Sequence, residues 1–430
     1  WGLIYNGANI TGKYESVCVI DTGVDYTHPS LGNCSSTDFT NGVCPKVING
    51  YDFVNNDDNP IDDNGHGTHV AGIVASTNDS IRGIAPEANI IAIKVLNSGG
   101  SGTGQNLISG IDWCVNNASK FNISVISMSL GTSTLFTSHC DNDDGALTSS
   151  ISNAIAKNIS VIAATGNADS TTGIASPSCI TNVTAVGGVD KSDAMDFNRN
   201  NITDLLAPGV SIKSLKSNQL GCLSGCSCTD IFMTCSGTSM STPHVAGAFA
   251  LVRQYRRLEQ NIILTPAQIQ DALNDTGKQI SDSGSGLTFS RINVYAAVLS
   301  LDATAPNISI VEPTPINNSN FTINSTESYV FVNLSTSEVL STAIIEISNG
   351  TKTNSSLTIN ALNSLINLTS LKLGVRTFRI YGNDSAGNMR ITDLRTLQIN
   401  NTAPNISGFA PSNDSVNIAE PNNQNFLVNF

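Results

Sequence analysis

The sequence predicts two fold classes in one chain: an α/β unit built on a parallel sheet, followed by an all-β sandwich. Three observations carry this. Short β-branched runs, such as the one from Glu15 to Asp21 and Val161 to Thr165, end in a polar residue and a glycine turn, as buried strands of an α/β sheet do. Apolar stretches with the texture of buried helices follow them, including Val70 to Ala75 and the run after Ser239. Beyond Asp302 the texture changes to short alternating strands, and Thr304-Ala305-Pro306-Asn307-Ile308-Ser309 recurs as Thr402-Ala403-Pro404-Asn405-Ile406-Ser407, an offset of 98 residues. At 430 residues the chain exceeds one ordinary domain, and the expected division is 1–302, 303–401 and 402–430.

Taken in order, ESVCVIDTGVD puts Asp21 at the carboxyl edge of a sheet, where open α/β sheets keep their sites. Asp25 lies past the turn and is the weaker candidate. Cys34 and Cys44 bracket a polar loop and can bridge across it. Asp57, Asp58, Asp62 and Asp63 then crowd with asparagines in a stretch that can be neither regular strand nor helix. Hard oxygen ligands on a loop suit a structural calcium ion, with Asp57, Asp62 and Asp63 as ligands; a solvated acidic loop explains the same residues equally well. Gly65-His66-Gly67 releases a histidine from a glycine-flanked turn into a helix. His69 completes an H-x-x-H pair, but no glutamate stands between the two, so the metalloprotease zinc motif is not met.

Further on, the strand from Val161 ends at Asn167. An uncharged amide is the kind of donor a tetrahedral oxyanion needs, because it donates without losing a proton. CSGTSMSTPHVAGAFALV, from Cys235 to Val252, sets Ser239 on a glycine turn leading into an apolar helix, which presents a hydroxyl beside the partial positive charge of the helix start. Pro243 withholds the amide that would otherwise bond the Ser239 carbonyl. Cys222, Cys226, Cys228 and Cys235 crowd the loop before this turn, either as two disulfides or as a zinc site. Cys18 and Cys114 sit in apolar patterns and read as inert buried thiols.

Asp21 in VIDTGVD, His66 in NGHGTHVAG and Ser239 in GTSMSTPHVAG resemble, in order and in local wording, the subtilisin-like serine proteases over about Trp1 to Leu301. The resemblance implies a subtilisin-like parallel sheet with helices on both faces, and a serine endopeptidase in which Asp21, His66 and Ser239 form the triad. It further implies Asn167 as oxyanion donor, with Thr238 and the Ser239 amide as helpers. Gly100, Ser101 and Gly102, and Ser129, Leu130 and Gly131, would be the two edges that take substrate as an added strand. Gly173 to Ser178 would floor the specificity pocket, with Cys140 and Cys179 tying the loops that frame it. The loop from Ser76 to Ile84 is shorter than the one that carries the tight calcium site in the best-known members. Relatives remove an amino-terminal chaperone domain on maturation, so a chain that starts at Trp1 is expected to be a matured form.

The alternating strands after Asp302, with a period near 100 residues, suit an immunoglobulin-like sandwich, and Asp384-Ser385-Ala386-Gly387-Asn388 reads as the turn of its final hairpin. The segment 402–430 is then the start of a second repeat, incomplete at Phe430, and such repeats would serve attachment at a cell surface. A formal net charge of -13 argues against nucleic acid or an anionic membrane as partner. No run of 18 apolar residues offers a membrane span, and no basic-then-apolar leader opens the chain. Ten cysteines and 21 N-x-S/T sequons fit an exported, glycosylated product, extracellular or at the cell surface, whose leader has been removed. No redox or nucleotide cofactor is implied. Two rival readings remain: a catalytically silent surface scaffold, and an acid-active peptidase that replaces the histidine with glutamate, which His66 speaks against.

Overall fold

The computed structural model describes residues 4–5 and 8–401, apart from 313, 315–316, 324–328, 349–351, 358–361 and 370–372. The chain divides into two compact units, Trp1–Thr304 and Ala305–Phe430.

The first unit is organised by a nine-stranded sheet of β1 (Ser16–Asp21), β2 (Val47–Asp52), β3 (Asn89–Lys94), β4 (Ile123–Met128), β5 (Ser160–Ala164), β6 (Thr184–Val189), β7 (Leu205–Pro208), β8 (Lys278–Ser281) and β9 (Thr288–Arg291). Their spatial order is β8-β9-β7-β6-β5-β4-β1-β3-β2. All neighbours run parallel except the β8–β9 hairpin at one edge, which makes the sheet mixed.

β1 shows why these strands read as continuous apolar runs. Val17 and Val19 enter one hydrophobic cluster and Cys18 and Ile20 the other, so both faces are covered and no polar alternation remains. Each such side chain contributes roughly 1.5–3 kcal/mol of burial. Helices α1 (His66–Ala75) and α4 (Thr238–Gln260) fill the first face, while α2 (Gly104–Phe121) and α3 (Gly145–Ala156) fill the second. The segment TPAQIQDAL forms α5 (Pro266–Asp275), with Thr265 as its cap and Pro266 in its first position. The unit closes with α6 (Val294–Leu301).

Among the described residues no cysteine is free. Cys34–Cys44, Cys140–Cys179, Cys222–Cys228 and Cys226–Cys235 are disulfides. So is Cys18–Cys114, which corrects their reading as thiols. Cys18 lies on the face of β1 that α2 covers, and Cys114 is buried in α2. A cysteine in an apolar pattern looks like a small hydrophobe whether or not it is bonded. The partner 96 residues away leaves no local trace.

The second unit is all-β. Its three-stranded sheet joins Ile308–Val311, Tyr329–Thr336 and Asn363–Thr369, and its six-stranded sheet centres on Gly374–Asn383. One apolar cluster draws Val332 and Leu334 from the first sheet and Ile345, Ile380 and Ile399 from the second. The turn 384–388 joins Gly374–Asn383 to Met389–Ile391 as an antiparallel hairpin, and Arg395–Asn401, which follows, pairs back onto Gly374–Asn383. The second repeat expected from 402 lies outside the described residues. Among the described residues no helix is long and apolar enough to cross a membrane.

Candidate active site

β1 delivers Asp21 at its carboxyl end, and α1 begins at His66 beside it. His66 Nδ1 donates to Asp21 Oδ1 at 2.7 Å, and the Thr22 amide donates to the same oxygen at 2.8 Å. The carboxylate side chain is 1% exposed and the imidazole 22%. This approach requires a glycine at 67, where a Cβ would lie 2.0 Å from the Gly23 carbonyl oxygen and 3.2 Å from Asp21 Oδ1. Burial pulls the His66 pKa down, while the charge and hydrogen bond of Asp21 and the charge of Asp62 push it up; the net shift is upward from the ordinary value.

Ser239 is the second residue of α4, after Gly237 at φ 150°. The carbonyl that Pro243 leaves without a helical partner is not orphaned. Ser129 Oγ donates to Ser239 O at 2.9 Å, and Ser239 Oγ donates to Ser129 O at 3.1 Å, a reciprocal pair between α4 and the segment after β4. Among the described residues Ser239 makes no hydrogen bond to His66. Both side chains nevertheless line one cleft of about 770 Å³.

Asn167 follows β5 and lines the same cleft. Its Oδ1 accepts from the Thr238 amide at 2.9 Å and the Thr238 hydroxyl at 3.0 Å. A backbone N–H can only donate, so this fixes which side of the amide is oxygen. Nδ2 then has no protein acceptor among the described residues and is available to a ligand. Thr238 was expected as an oxyanion helper, and the structure puts it behind Asn167. It is fully buried, donates to Asn167 and accepts from the Gly166 amide at 3.1 Å, so it orients the amide rather than meeting a ligand. Asn198, which sequence reasoning missed, holds the following turn by accepting from the amides of Ala168 and Ser170 at 2.9 and 3.0 Å.

Gly100, Ser101, Gly102, Ser129, Leu130 and Gly131 all line the cleft. Of the expected pocket floor, Ser176 lines it.

The three aspartates proposed to hold calcium do not converge. Asp57 Oδ1 accepts from the Asn59 amide at 2.9 Å. Both oxygens of Asp62 are occupied by donors: Oδ1 by the Thr22 hydroxyl and the amides of Asn64 and Gly65 at 2.8–3.0 Å, and Oδ2 by the amide and hydroxyl of Thr68. Asp63 pairs with Lys94. The buried Lys94 ammonium also donates to the carbonyls of Thr22 and Leu96, each at 2.8 Å, so the cation at this loop is a side chain. A lysine inside the otherwise apolar run NIIAIKVL was the signal for it. These residues do not fit a metal ion.

A buried carboxylate that orients an imidazole, a hydroxyl at a helix start and an amide donor with a free N–H can together move a proton and receive a developing oxyanion. Comparison with known proteins agrees with this chemistry. A profile of the subtilase family matches residues 12–292. The chain is similar to a thermophilic serine proteinase of Bacillus sp. (strain AK1), 38% identical over 290 residues, covering 66% of this chain and 61% of that protein. It is also similar to serine protease AprX of Bacillus subtilis (strain 168), 38% identical over 316 residues and covering 64% of each. Subtilisin E of the same strain is 38% identical over 299 residues, covering 67% of this chain and 66% of that protein. The chain thus spans just under two thirds of the length of these relatives. The crystal structure of a cold-adapted subtilisin-like serine proteinase superposes with a TM-score of 0.52 at 34% identity, covering 66% of this chain and 91% of that one.

Proposed function

Because the chain belongs to the subtilase family, we propose that it is a secreted or cell-surface serine endopeptidase that hydrolyses peptide bonds through an acyl-enzyme. One observation carries this reading: the carboxylate–imidazole pair of Asp21 and His66 opens onto the same cleft as the Ser239 hydroxyl and the Asn167 amide.

In this mechanism Ser239 Oγ leaves the Ser129 carbonyl and attacks the substrate carbonyl carbon as His66 Nε2 takes its proton. Asp21 keeps Nδ1 protonated and offsets the positive charge that forms on the ring. Asn167 Nδ2 and the Ser239 amide donate to the oxyanion, each such donor lowering the barrier by roughly 3 kcal/mol. His66 returns the proton to the leaving amine. Water, with its proton taken by the same imidazole, then attacks the acyl carbon and frees Ser239. Substrate lies extended between Gly100–Gly102 and Ser129–Gly131 and bonds their main chain, so binding depends little on side chains along that stretch. Calcium has no step in this chemistry.

Five disulfides favour an oxidising compartment. Exposed sequon asparagines such as Asn33, Asn182 and Asn274 are available to glycans in that setting. The second unit, with two sheets around one apolar cluster, fits an immunoglobulin-like sandwich that serves surface attachment.

The test is labelling with a fluorophosphonate probe. Labelling of the intact protein that disappears in Ser239→Ala supports the enzyme; no labelling of the folded protein supports a silent scaffold instead.

A further inference from the structure

One wall of the cleft belongs to neither substrate edge. It is formed by Leu223, Ser224, Cys226, Cys235 and Ser236, from a loop held at both stems. At the first stem, the buried Asp25 carboxylate accepts from the Ser217 hydroxyl at 2.8 Å and the Asn218 amide at 2.9 Å. At the second, the strands Ile212–Leu215, Phe232–Cys235 and Ser227–Thr229 form a three-stranded ribbon, closed by Cys226–Cys235 and Cys222–Cys228. Cys235 lies four residues before Ser239, so the second stem is fixed to the turn that presents the hydroxyl. Within the loop the Leu223 amide donates to Met233 Sδ at 3.5 Å, and its half-buried side chain packs on the core. Leu223 also closes over Gly65, the residue before His66: a Cβ at 65 would sit 3.8 Å from Leu223 Cγ and 3.9 Å from Leu220 Cδ1.

We propose that this cystine-tied loop is the specificity element for the leaving side of the scissile bond, and that Leu223 selects an apolar residue immediately after it. The assignment rests on the endopeptidase reading. The two edges take the extended acyl segment. The residue that departs must bring its nitrogen to His66, which returns the proton, and the loop is what stands over the turn before His66. Its cleft-facing residues are a leucine, two serines and a disulfide, with no charge among them. Such a wall accepts an apolar side chain without loss and desolvates a charged one without offering it a partner. Two disulfides and a buried carboxylate keep it in place before substrate arrives, so the contact costs little ordering on binding.

The experiment compares kcat/KM for internally quenched peptides that share one acyl half and differ only in the first leaving-side residue, leucine or aspartate, and for the methyl ester of that acyl half, whose leaving group cannot reach the loop. The protein is expected to favour leucine at least about tenfold. Leu223→Ser is expected to remove most of that preference and leave the methyl ester within about twofold. Leu223→Lys should reverse it in favour of aspartate, a gain that misfolding cannot produce. A parent enzyme indifferent to the leaving residue, or variants that slow ester and peptides alike, would overturn the assignment. If the parent turns over neither ester nor peptides and Ser239 resists the fluorophosphonate, the endopeptidase reading itself is lost; turnover of the ester without any Leu223 effect removes only this inference.

Discussion

Asp62→Asn isolates a residue whose part the structure defines and the sequence misassigned. The carboxylate binds five donors across the turn that presents His66. An asparagine of the same shape can keep its oxygen toward Thr22, Asn64 and Gly65, but its NH2 then faces the amide and hydroxyl of Thr68. The hydroxyl can turn round and accept; the amide cannot. One hydrogen bond to a charged acceptor is lost, one is weakened, and a buried N–H is left against another donor. At 1.5–3 kcal/mol for each charged bond, the loss is about 3 kcal/mol. At roughly 2.1 cal/mol/K of unfolding entropy per residue, a unit that runs from Trp1 to Thr304 then loses about 4–6 °C of Tm. Melts are best run in a Ser239→Ala background so that self-digestion does not set the apparent transition, with and without EDTA. A shift of less than 2 °C would refute the hydrogen-bond account. So would a parent protein that EDTA destabilises while Asp62→Asn is indifferent to it, since that is how a calcium ligand behaves. In the active protein the same change removes a charge that raises the His66 pKa, so the acid limb of the pH–rate profile should move to lower pH.

Other outcomes follow from the same geometry. The proposed base must be neutral, and Asp21 raises the His66 pKa from the ordinary imidazole value, so kcat/KM should fall tenfold per pH unit below an apparent pKa raised in the same direction; a midpoint below that of an ordinary imidazole would contradict the Asp21–His66 contact. Thr238→Val removes the hydroxyl that donates to Asn167 Oδ1 and keeps the backbone amide that donates to the same oxygen, so the Asn167 side chain is held by one bond instead of two; it is expected to lower kcat by up to about tenfold with KM little changed, and an equal rise in KM would place Thr238 in substrate binding. The pair Cys18→Ala and Cys114→Ala opens a loop of 96 residues, for which chain entropy gives about 4 to 5 kcal/mol of destabilisation in denaturant titrations; no change in midpoint would mean that packing alone holds β1 to α2.

The site was legible where a local pattern carries the chemistry. Asp21, His66, Ser239 and Asn167 each sit on a turn with glycine beside it or one residue away, and a turn is a feature of neighbouring residues. What stayed hidden was set by partners far along the chain. Cys18 finds Cys114 across the core, Thr238 finds Asn167, and Asp25 finds the loop at Ser217, a separation of 192 residues. The acidic loop misled for a related reason: aspartates crowded in sequence suggest one shared cation, whereas Asp62 and Asp63 turn to different partners, one to amides and hydroxyls and the other to Lys94. In the second unit strands such as 329–334 and 377–381 were legible from alternation within a few residues, whereas Lys352–Leu357, KTNSSL, carries no such pattern and was not.

The exchange between Ser129 and Ser239 has a kinetic meaning. Pro243, four residues after Ser239, leaves the Ser239 carbonyl available, and the serine that bonds it also holds the Ser239 hydroxyl on its own carbonyl. Before the proposed bond-making can begin, that O–H must give up the Ser129 carbonyl for the ring. Giving up one neutral hydrogen bond costs about 1 kcal/mol, a factor of about five in rate if nothing compensates. The idle protein therefore carries a light safety catch, and an occupied cleft has only to tip it.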